Sequence, residues 1–209
     1  LLPTYGKNSA KKVLVIGLGK ENELNNNKIR EVMAKAVKKA LQMKAKTIAV
    51  DFSNIPFEYA DMISEGAMIG DYAFDKYKSD KKDHIETLYV NLDKSKVEKG
   101  QKRAEAMNFA RDLANEPAEY ATPTKLAEVA KSLGLDTKIY DRKDCEKMGM
   151  TAYLAVARGS HQEPKFIHMK YAPKNPTKRI AIIGKGLCFD SGGMDLKPAS
   201  SMVWMVFFF

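Results

Sequence analysis

The residues with the clearest capacity for chemistry lie in a glycine-rich stretch towards the end of the sequence. Lys185 lies within an apolar run, and Asp190 follows that run. A lysine in an apolar setting loses its proton readily, because desolvation disfavours the ammonium form, and the neutral amine can then ligate a divalent cation. The carboxylate of Asp190 offers hard oxygen ligands and could bridge two cations. Either residue alone is more simply explained as a strand lysine reaching solvent or an aspartate capping a turn.

The elements around these residues would place them at the edge of a sheet. Residues 179–187 form an apolar run that predicts a buried strand, so Asp190 would lie at its carboxyl end and Lys197 would follow on the loop. In open α/β sheets, ligands bind outside the carboxyl ends of the strands. Gly192 and Gly193 allow the backbone to approach a ligand closely or to take a positive φ. The sequence therefore predicts a binding site on this loop.

The front of the chain predicts a parallel sheet covered by helices. Residues 13–17 form a β-branched run that ends in glycine and predicts a buried strand. Residues 29–41 carry apolar side chains mostly at spacings of three and four, which predicts an amphipathic helix, and residues 47–51 predict a second strand. Strand, helix and strand over this length form a βαβ unit, which indicates an α/β fold.

The rest of the chain alternates between predicted helices and strands. The pattern predicts a helix over residues 61–77, a strand over 85–92 and a charged linker over 93–103 that opens a long helix. It then predicts a helix that begins at Pro123, with Thr122 as its N-cap, and strands over 137–140 and 165–171. Residues 148–157 fit either a short helix or a strand, and the pattern does not decide between them.

Composition and charge exclude several classes of protein. No apolar run is long enough to span a membrane, and the first residues lack the pattern of a secretory signal. They also lack an initiator Met, which is consistent with a missing start. The two cysteines, Cys145 and Cys188, are too few for a disulfide framework, which indicates free thiols and a cytoplasmic location. The net charge is +9, but the lysines are scattered without interleaved aromatic residues, so we expect no nucleic-acid partner.

Other possible motifs are weaker. Residues 17–19 place two glycines after the first predicted strand, but the third glycine of a dinucleotide-binding fingerprint is absent. His84, His161 and His168 do not form a His-Glu-x-x-His pattern, which excludes a zincin site. Cys188 would need an adjacent base to act as a nucleophile, and none is evident, so a small core residue is the simpler interpretation.

The whole of residues 184–198 resembles the signature of the leucyl aminopeptidases, the cytosol aminopeptidase family. That signature has the form Gly-Lys-Gly-x-x-Phe-Asp-Ser-Gly-Gly-x-x-x-Lys-Pro, and every fixed position is matched. Residues 111–117 and 148–154 also resemble the family, and residues 15–20 resemble its N-terminal domain. The resemblance covers nearly the whole chain, to about Met205.

This resemblance implies a fold, a set of cofactors and a role for each residue. Residues 1–98 would form a macro-like α/β domain, and residues 99–209 would form the first part of an α/β/α metallo-aminopeptidase catalytic domain. Lys185 and Asp190 would ligate a pair of divalent cations, Mn²⁺ or Zn²⁺, and Lys197 would bind the substrate and polarise the scissile carbonyl. The implied activity is the release of N-terminal residues from peptides, leucine favoured, by a cytoplasmic hexamer.

The end of the chain departs from the family's pattern. The family has a third metal-binding aspartate where Phe208 stands and a lysine where Val206 stands, and phenylalanine cannot ligate a metal. The family's later Asp-x-Glu-x-Arg segment does not occur, and residues 202–209 form an entirely apolar tail. We therefore expect a C-terminally truncated chain that does not hydrolyse peptides alone. The alternative is a non-catalytic product, either a structural partner of intact subunits or a basic nucleic-acid binder.

Overall fold

The computed structural model describes residues 2–7, 9–51 and 56–202, and the chain divides into two compact units. Unit 1 is Leu1–Asp112 and unit 2 is Leu113–Phe209. The fold is mixed α/β, which confirms the predicted fold class. The apolar tail from residue 203 onwards, including Val206 and Phe208, lies outside the described residues. Within those residues, no helix is both long and apolar enough to cross a membrane.

The described part of unit 1 contains two small sheets and three helices. In chain order its elements are β1 (Leu2–Pro3), β2 (Lys12–Val13), α1 (Asn26–Gln42), β3 (Thr47–Val50), α2 (Ala60–Asp71), β4 (Thr87–Val90) and α3 (Lys94–Asn115). Short 3-10 helices at Glu21–Glu23 and Phe57–Tyr59 precede α1 and α2. β1 and β2 pair antiparallel, whereas β3 and β4 pair parallel.

α1 forms because its sequence combines a good N-cap with an apolar stripe. The side chain of Asn25 accepts a hydrogen bond from the backbone N–H of Lys28, which satisfies one of the unpaired donors at the helix start. The buried residues of α1 recur every three or four positions: Ile29, Met33, Val37 and Ala40. The first three form one apolar core with Met62, Ile63 and Ala67 of α2. The predicted amphipathic helix is therefore confirmed.

The backbone of α2 lies in direct contact with the backbones of α1 and α3. A Cβ atom added at Gly66 would lie 2.4 Å from the carbonyl oxygen of Arg30, and one at Gly70 would lie 2.6 Å from a carbonyl oxygen further along α1. A Cβ atom at Gly100 of α3 would lie 2.1 Å from the carbonyl oxygen of Asp61. Each distance is far shorter than carbon and oxygen can approach, so only glycine fits at these positions.

Two carboxylates are buried where these three helices meet. The side chain of Glu65 is 1% exposed, and its oxygens bind the guanidinium groups of Arg30 and Arg103 at 2.6 Å each. Asp61 is bound by Arg103 at 2.9 Å and lies 3.5 Å from Nζ of Lys99. Burial by itself would raise the pKa of Asp61, but the hydrogen bond and charge of Arg103, together with the charge of Lys99, hold that pKa below its ordinary value. Both buried charges are therefore paired, which limits the cost of their desolvation.

The described part of unit 2 contains a two-stranded sheet and four helices. Its elements are α4 (Pro123–Ser132), β5 (Asp136–Tyr140), α5 (Arg142–Lys147), α6 (Thr151–Ala157), β6 (Phe166–Lys170) and α7 (Ala199–Met202), with β5 and β6 antiparallel. α4 begins as predicted, because Pro123 occupies its first turn and the Thr122 side chain accepts a hydrogen bond from the N–H of Lys125. Residues 148–157, which fitted a helix or a strand, contain α6.

The predicted strand over residues 13–17 is wrong beyond its first residue. Val13 pairs with Leu2 of β1, and within the described ranges no strand pairs with the rest of the run. Val15 and Ile16 are exposed. The βαβ prediction is corrected accordingly, because the parallel pair is β3 and β4, with α2 in the connection. An apolar β-branched sequence forms a strand only where a neighbour supplies the ladder hydrogen bonds.

The predicted buried strand over residues 179–187 is also wrong. The segment is irregular, and Ile182 and Ile183 expose 93% and 95% of their surface. Among the described residues, no strand pairs with this segment. Its apolar composition indicates a buried strand, but burial needs a covering layer on each face, and the surrounding described residues do not supply one.

The other predicted elements are mostly confirmed. β3, β4 and β6 lie within their predicted ranges, β5 begins one residue before its range, and the charged linker opens the long helix α3. The helix predicted over residues 61–77 is shorter, because α2 ends at Asp71. The Asp71 carboxylate accepts the backbone N–H of Ile85 at 2.8 Å and lies 3.0 Å from Nδ1 of His84. These contacts tie the end of α2 to the segment before β4.

Candidate functional site

The glycine-rich stretch forms a closed loop over residues 190–197, hereafter the signature loop. The backbone N–H of Lys197 donates to the carbonyl oxygen of Ser191 at 2.9 Å, which joins the two ends of the loop. Gly192 and Gly193 have φ angles of 98° and 67°. Side chains with a Cβ rarely adopt this region, so the two glycines allow the chain to reverse here, as predicted.

Both carboxylate oxygens of Asp190 are bound within the signature loop. Oδ1 accepts a hydrogen bond from the backbone N–H of Gly192 at 2.9 Å, and Oδ2 lies 2.8 Å from Nζ of Lys197. The hydrogen bond from Lys197 lowers the pKa of Asp190 most, that from Gly192 lowers it further, and the charge of Lys185 adds to the effect. Asp190 is therefore an ionised carboxylate in a positive environment, the form that a metal ligand must have.

Lys197 is bound to Asp190 through a second contact as well. Its Nζ donates to the backbone carbonyl oxygen of Asp190 at 2.9 Å, and its side chain is 26% exposed. The sequence placed both residues in the site but did not predict that they touch. A signal for part of this geometry is present, because an aspartate whose side chain binds the N–H two residues later is typical of an Asx turn.

Lys185 lies on the irregular segment before the signature loop. It is exposed, as are its neighbours Ile182 and Ile183. The apolar, desolvated setting from which its loss of a proton was predicted is therefore not formed among the described residues. The structure brings Asp190 and Lys197 into direct contact, whereas Lys185 acts on Asp190 through its charge.

We expect Gly192→Ala to open the signature loop. The alanine would have to keep a φ of 98°, and its Cβ would lie 2.3 Å from the carbonyl oxygen of Asp195. The left-handed backbone alone costs about 1–2 kcal/mol, so amide hydrogen exchange at Lys197 should accelerate by at least about fivefold. Gly184→Ala is the matched control, since a Cβ there meets no atom within 4 Å. Unchanged protection of the Lys197 amide in Gly192→Ala would contradict the prediction.

The two cysteines are not set up as nucleophiles. Burial raises the pKa of the Cys188 thiol, whose Sγ lies 3.9 Å from the carbonyl oxygen of Gly186. Burial also raises the pKa of the Cys145 thiol, and the charge of Asp144 raises it further. Thiols with raised pKa values are poor nucleophiles near neutral pH. Both cysteines are free, which confirms the prediction from the sequence.

The described residues supply part of a metal-binding donor set. Asp190 offers carboxylate oxygens, which already bind a cationic group, and Lys185 offers an amine. Both side chains fit a divalent cation as two donors of a larger set. No cluster of three or more His, Cys, Asp or Glu side chains that could hold a metal occurs in the ranges described. Phe208, at the predicted third-ligand position, lies outside those ranges.

Comparison with protein families identifies the chain in two parts. Residues 1–81 match the N-terminal domain of the cytosol aminopeptidase family, and residues 108–207 match the catalytic domain of the same family. The chain belongs to the cytosol aminopeptidase family. The signature loop lies within the catalytic match, so the resemblance first seen in residues 184–198 is confirmed.

Relatives in the cytosol aminopeptidase family match nearly all of the chain. A probable cytosol aminopeptidase of Sulfurihydrogenibium sp. is 44% identical over 98% of this chain and 44% of its own length. One from Persephonella marina is 39% identical over 98% of this chain and 45% of its own length, and one from Aquifex aeolicus is 40% identical over 96% and 43%. The chain therefore spans less than half the length of these cytosol aminopeptidases.

Solved structures show the same relationship. The bottromycin maturation enzyme BotP in complex with Mn is similar over 88% of this chain and 41% of its own, with a TM-score of 0.75 and 32% sequence identity. A second structure of BotP is similar over 84% of this chain and 40% of its own, with a TM-score of 0.72. The similarity of this chain to BotP thus extends to the fold as well as the sequence.

Proposed function

We propose that the protein is a metal-dependent aminopeptidase that releases N-terminal residues, leucine favoured, from peptides. The observation that carries the proposal is the signature loop, in which Asp190 and Lys197 of the family signature are in contact. Membership of the cytosol aminopeptidase family supports the peptidase activity. The preference for leucine follows from the resemblance of residues 184–198 to the leucyl aminopeptidase signature.

Each residue of the proposed site would have a distinct task. Lys185 and Asp190 would hold the metal ions, and the hydrogen bond from Gly192 would orient the Asp190 carboxylate. When bound, the ions would supply an activated water and stabilise developing negative charge. Lys197 would donate to the carbonyl oxygen of the substrate and stabilise the charge that develops there.

The proposed cofactor is a pair of manganese or zinc ions. BotP, which has a similar fold, is described in complex with Mn, and this supports manganese. From the family we further propose a cytoplasmic hexamer that acts on peptides. Residues 1–98 would form the N-terminal domain and residues 99–209 the first part of the catalytic domain.

We expect the chain by itself to lack this activity. The described residues contribute one carboxylate and one amine to the proposed site, and they contain no cluster of three acidic, histidine or cysteine ligands. Two divalent cations need more oxygen and nitrogen donors than these residues can supply. The remaining donors would come from sequence that the longer relatives possess beyond the matched region.

The test compares the chain alone with an extended protein. In the extended protein, residues 1–202 are followed by the part of the Sulfurihydrogenibium relative that begins where residue 203 aligns and continues to that relative's end. Both proteins are assayed for release of leucine from leucine amide and a leucyl peptide, with Mn²⁺, with Zn²⁺ and with a chelator. We expect metal-dependent release by the extended protein and none by the chain alone.

The control substrate is the same leucyl peptide with an acetylated amine. An exopeptidase that requires a free α-amine should leave it intact, so its cleavage would contradict an aminopeptidase reaction. Absence of turnover by the extended protein would contradict the proposed function itself. Metal-dependent turnover by the chain alone would contradict only the expectation that its donor set is incomplete.

A further inference from the structure

We propose that the Lys197 ammonium occupies the cation position at Asp190 in the metal-free protein, so that a divalent cation binds this carboxylate only by displacing the lysine. This inference rests on the function proposed above, because it concerns regulation of the same site. Binding of the metal and release of the Lys197 ammonium towards the substrate would then be one event. In the metal-free protein, the Lys197 ammonium would be held at Asp190 and would not reach the substrate.

The arrangement of the Asp190 carboxylate supports this exchange. Oδ1 accepts a hydrogen bond from the N–H of Gly192, and Oδ2 is bound by the ammonium of Lys197, so a cation that approaches Oδ2 meets a positive charge already in place. The backbone donor is neutral and remains compatible with a cation on the other oxygen. The ammonium is not compatible with a cation on the same oxygen, because the two positive charges repel each other strongly at such short range.

The contacts of Lys197 show how its ammonium can move away from Asp190. Its Nζ is bound to Oδ2 and to the backbone carbonyl oxygen of Asp190, whereas its backbone N–H is bound to Ser191. Rotation about the side-chain bonds of Lys197 breaks the first two contacts and leaves the third intact. The signature loop can therefore stay closed while the ammonium moves away from Asp190.

Lys185 is not the group that fills this position. It is exposed, and its influence on Asp190 is that of a charge rather than a close contact. A cation between Lys185 and Asp190 would therefore meet the Lys197 ammonium as its direct competitor. If Lys197 competes with the cation, removing its positive charge should strengthen cation binding. If Lys197 instead ligated the metal, or supported the site through its ion pair with Asp190, its removal should weaken cation binding.

The experiment measures binding of Mn²⁺ to the full 209-residue chain by isothermal titration calorimetry, without peptide. We expect Lys197→Met to bind Mn²⁺ roughly fivefold more tightly than the unchanged chain, which is the upper end for loss of a competing, partly exposed ion pair. Lys197→Arg keeps a competing cation and should retain the affinity of the unchanged chain. Lys174→Met, which removes an exposed lysine of the same unit, is the matched control.

A second measurement follows the side chain directly. Zn²⁺, which is diamagnetic, is added to the isotopically labelled chain, and the Lys197 side-chain resonances should shift while its amide stays protected from exchange. Equal or weaker Mn²⁺ binding by Lys197→Met, no measurable binding by either protein, or an unmoved Lys197 side chain would overturn the inference. Neither readout involves hydrolysis, so failure of the proposed function would be recognised separately, by an inactive extended protein.

Discussion

Arg103→Met should lower the free energy of unfolding by about 3 kcal/mol, because it leaves two buried carboxylates short of their counter-charge. The Arg103 guanidinium binds Glu65 at 2.6 Å and Asp61 at 2.9 Å. Arg30 would still bind Glu65, and Lys99 would remain near Asp61, which keeps the loss at the low end for a broken buried pair. Urea unfolding followed by circular dichroism at neutral pH measures the change.

The matched control for this prediction is Lys102→Met. Lys102 is the preceding residue of α3 and is exposed, so its removal takes away the same formal charge without disturbing the buried carboxylates. Its effect should stay within about 0.5 kcal/mol, as for most surface substitutions. Equal effects of the two substitutions would show that net charge, rather than the contacts at α2, accounts for the loss.

Lys197→Met in the extended protein should lower kcat by about 10²–10³-fold, the usual cost of removing one donor to a developing oxyanion. KM should change little, because the proposed interaction strengthens mainly as charge develops on the substrate oxygen. The steady-state rate of leucine release from a leucyl peptide at saturating Mn²⁺ gives both constants. Saturation matters here, since the same substitution is expected to tighten metal binding.

Two outcomes would contradict this assignment. A rise in KM with kcat unchanged would make Lys197 a residue that only binds substrate, and a rate restored by excess Mn²⁺ would make it a residue that only supports the metal. Lys174→Met should retain the kcat of the unchanged protein, because that lysine is exposed and lies outside the proposed site. Together these results separate catalysis by Lys197 from its effect on the metal.

Helices of this chain could be predicted because their signals are local. Asn25 and Thr122 each cap a helix through a hydrogen bond to an N–H three residues later, and Pro123 fits the first turn of α4. The strand predictions at residues 13–17 and 179–187 failed for the opposite reason. Whether an apolar run forms a strand depends on partners far away in sequence, and the run itself does not encode them.

The candidate site shows the same division. The resemblance of residues 184–198 to the family signature predicted Lys185, Asp190 and Lys197 as site residues, since a signature is a local pattern. The contact between Asp190 and Lys197 depends on the positive φ angles of Gly192 and Gly193, which turn the chain back on itself. The exposure of Lys185 depends on what covers its segment, and no local pattern reports that.

The backbone contacts of α2 also constrain how this sequence can vary. Gly66 and Gly70 touch α1 with no room for a Cβ, and the ion pair between Glu65 and Arg30 spans the same two helices. A larger residue at either glycine would push α1 away and stretch that ion pair in the same step. Substitutions at these positions are therefore not independent, and their free-energy costs should not add. A relative with larger residues at these positions should therefore also carry compensating substitutions in α1, so the sequences of α1 and α2 should change together.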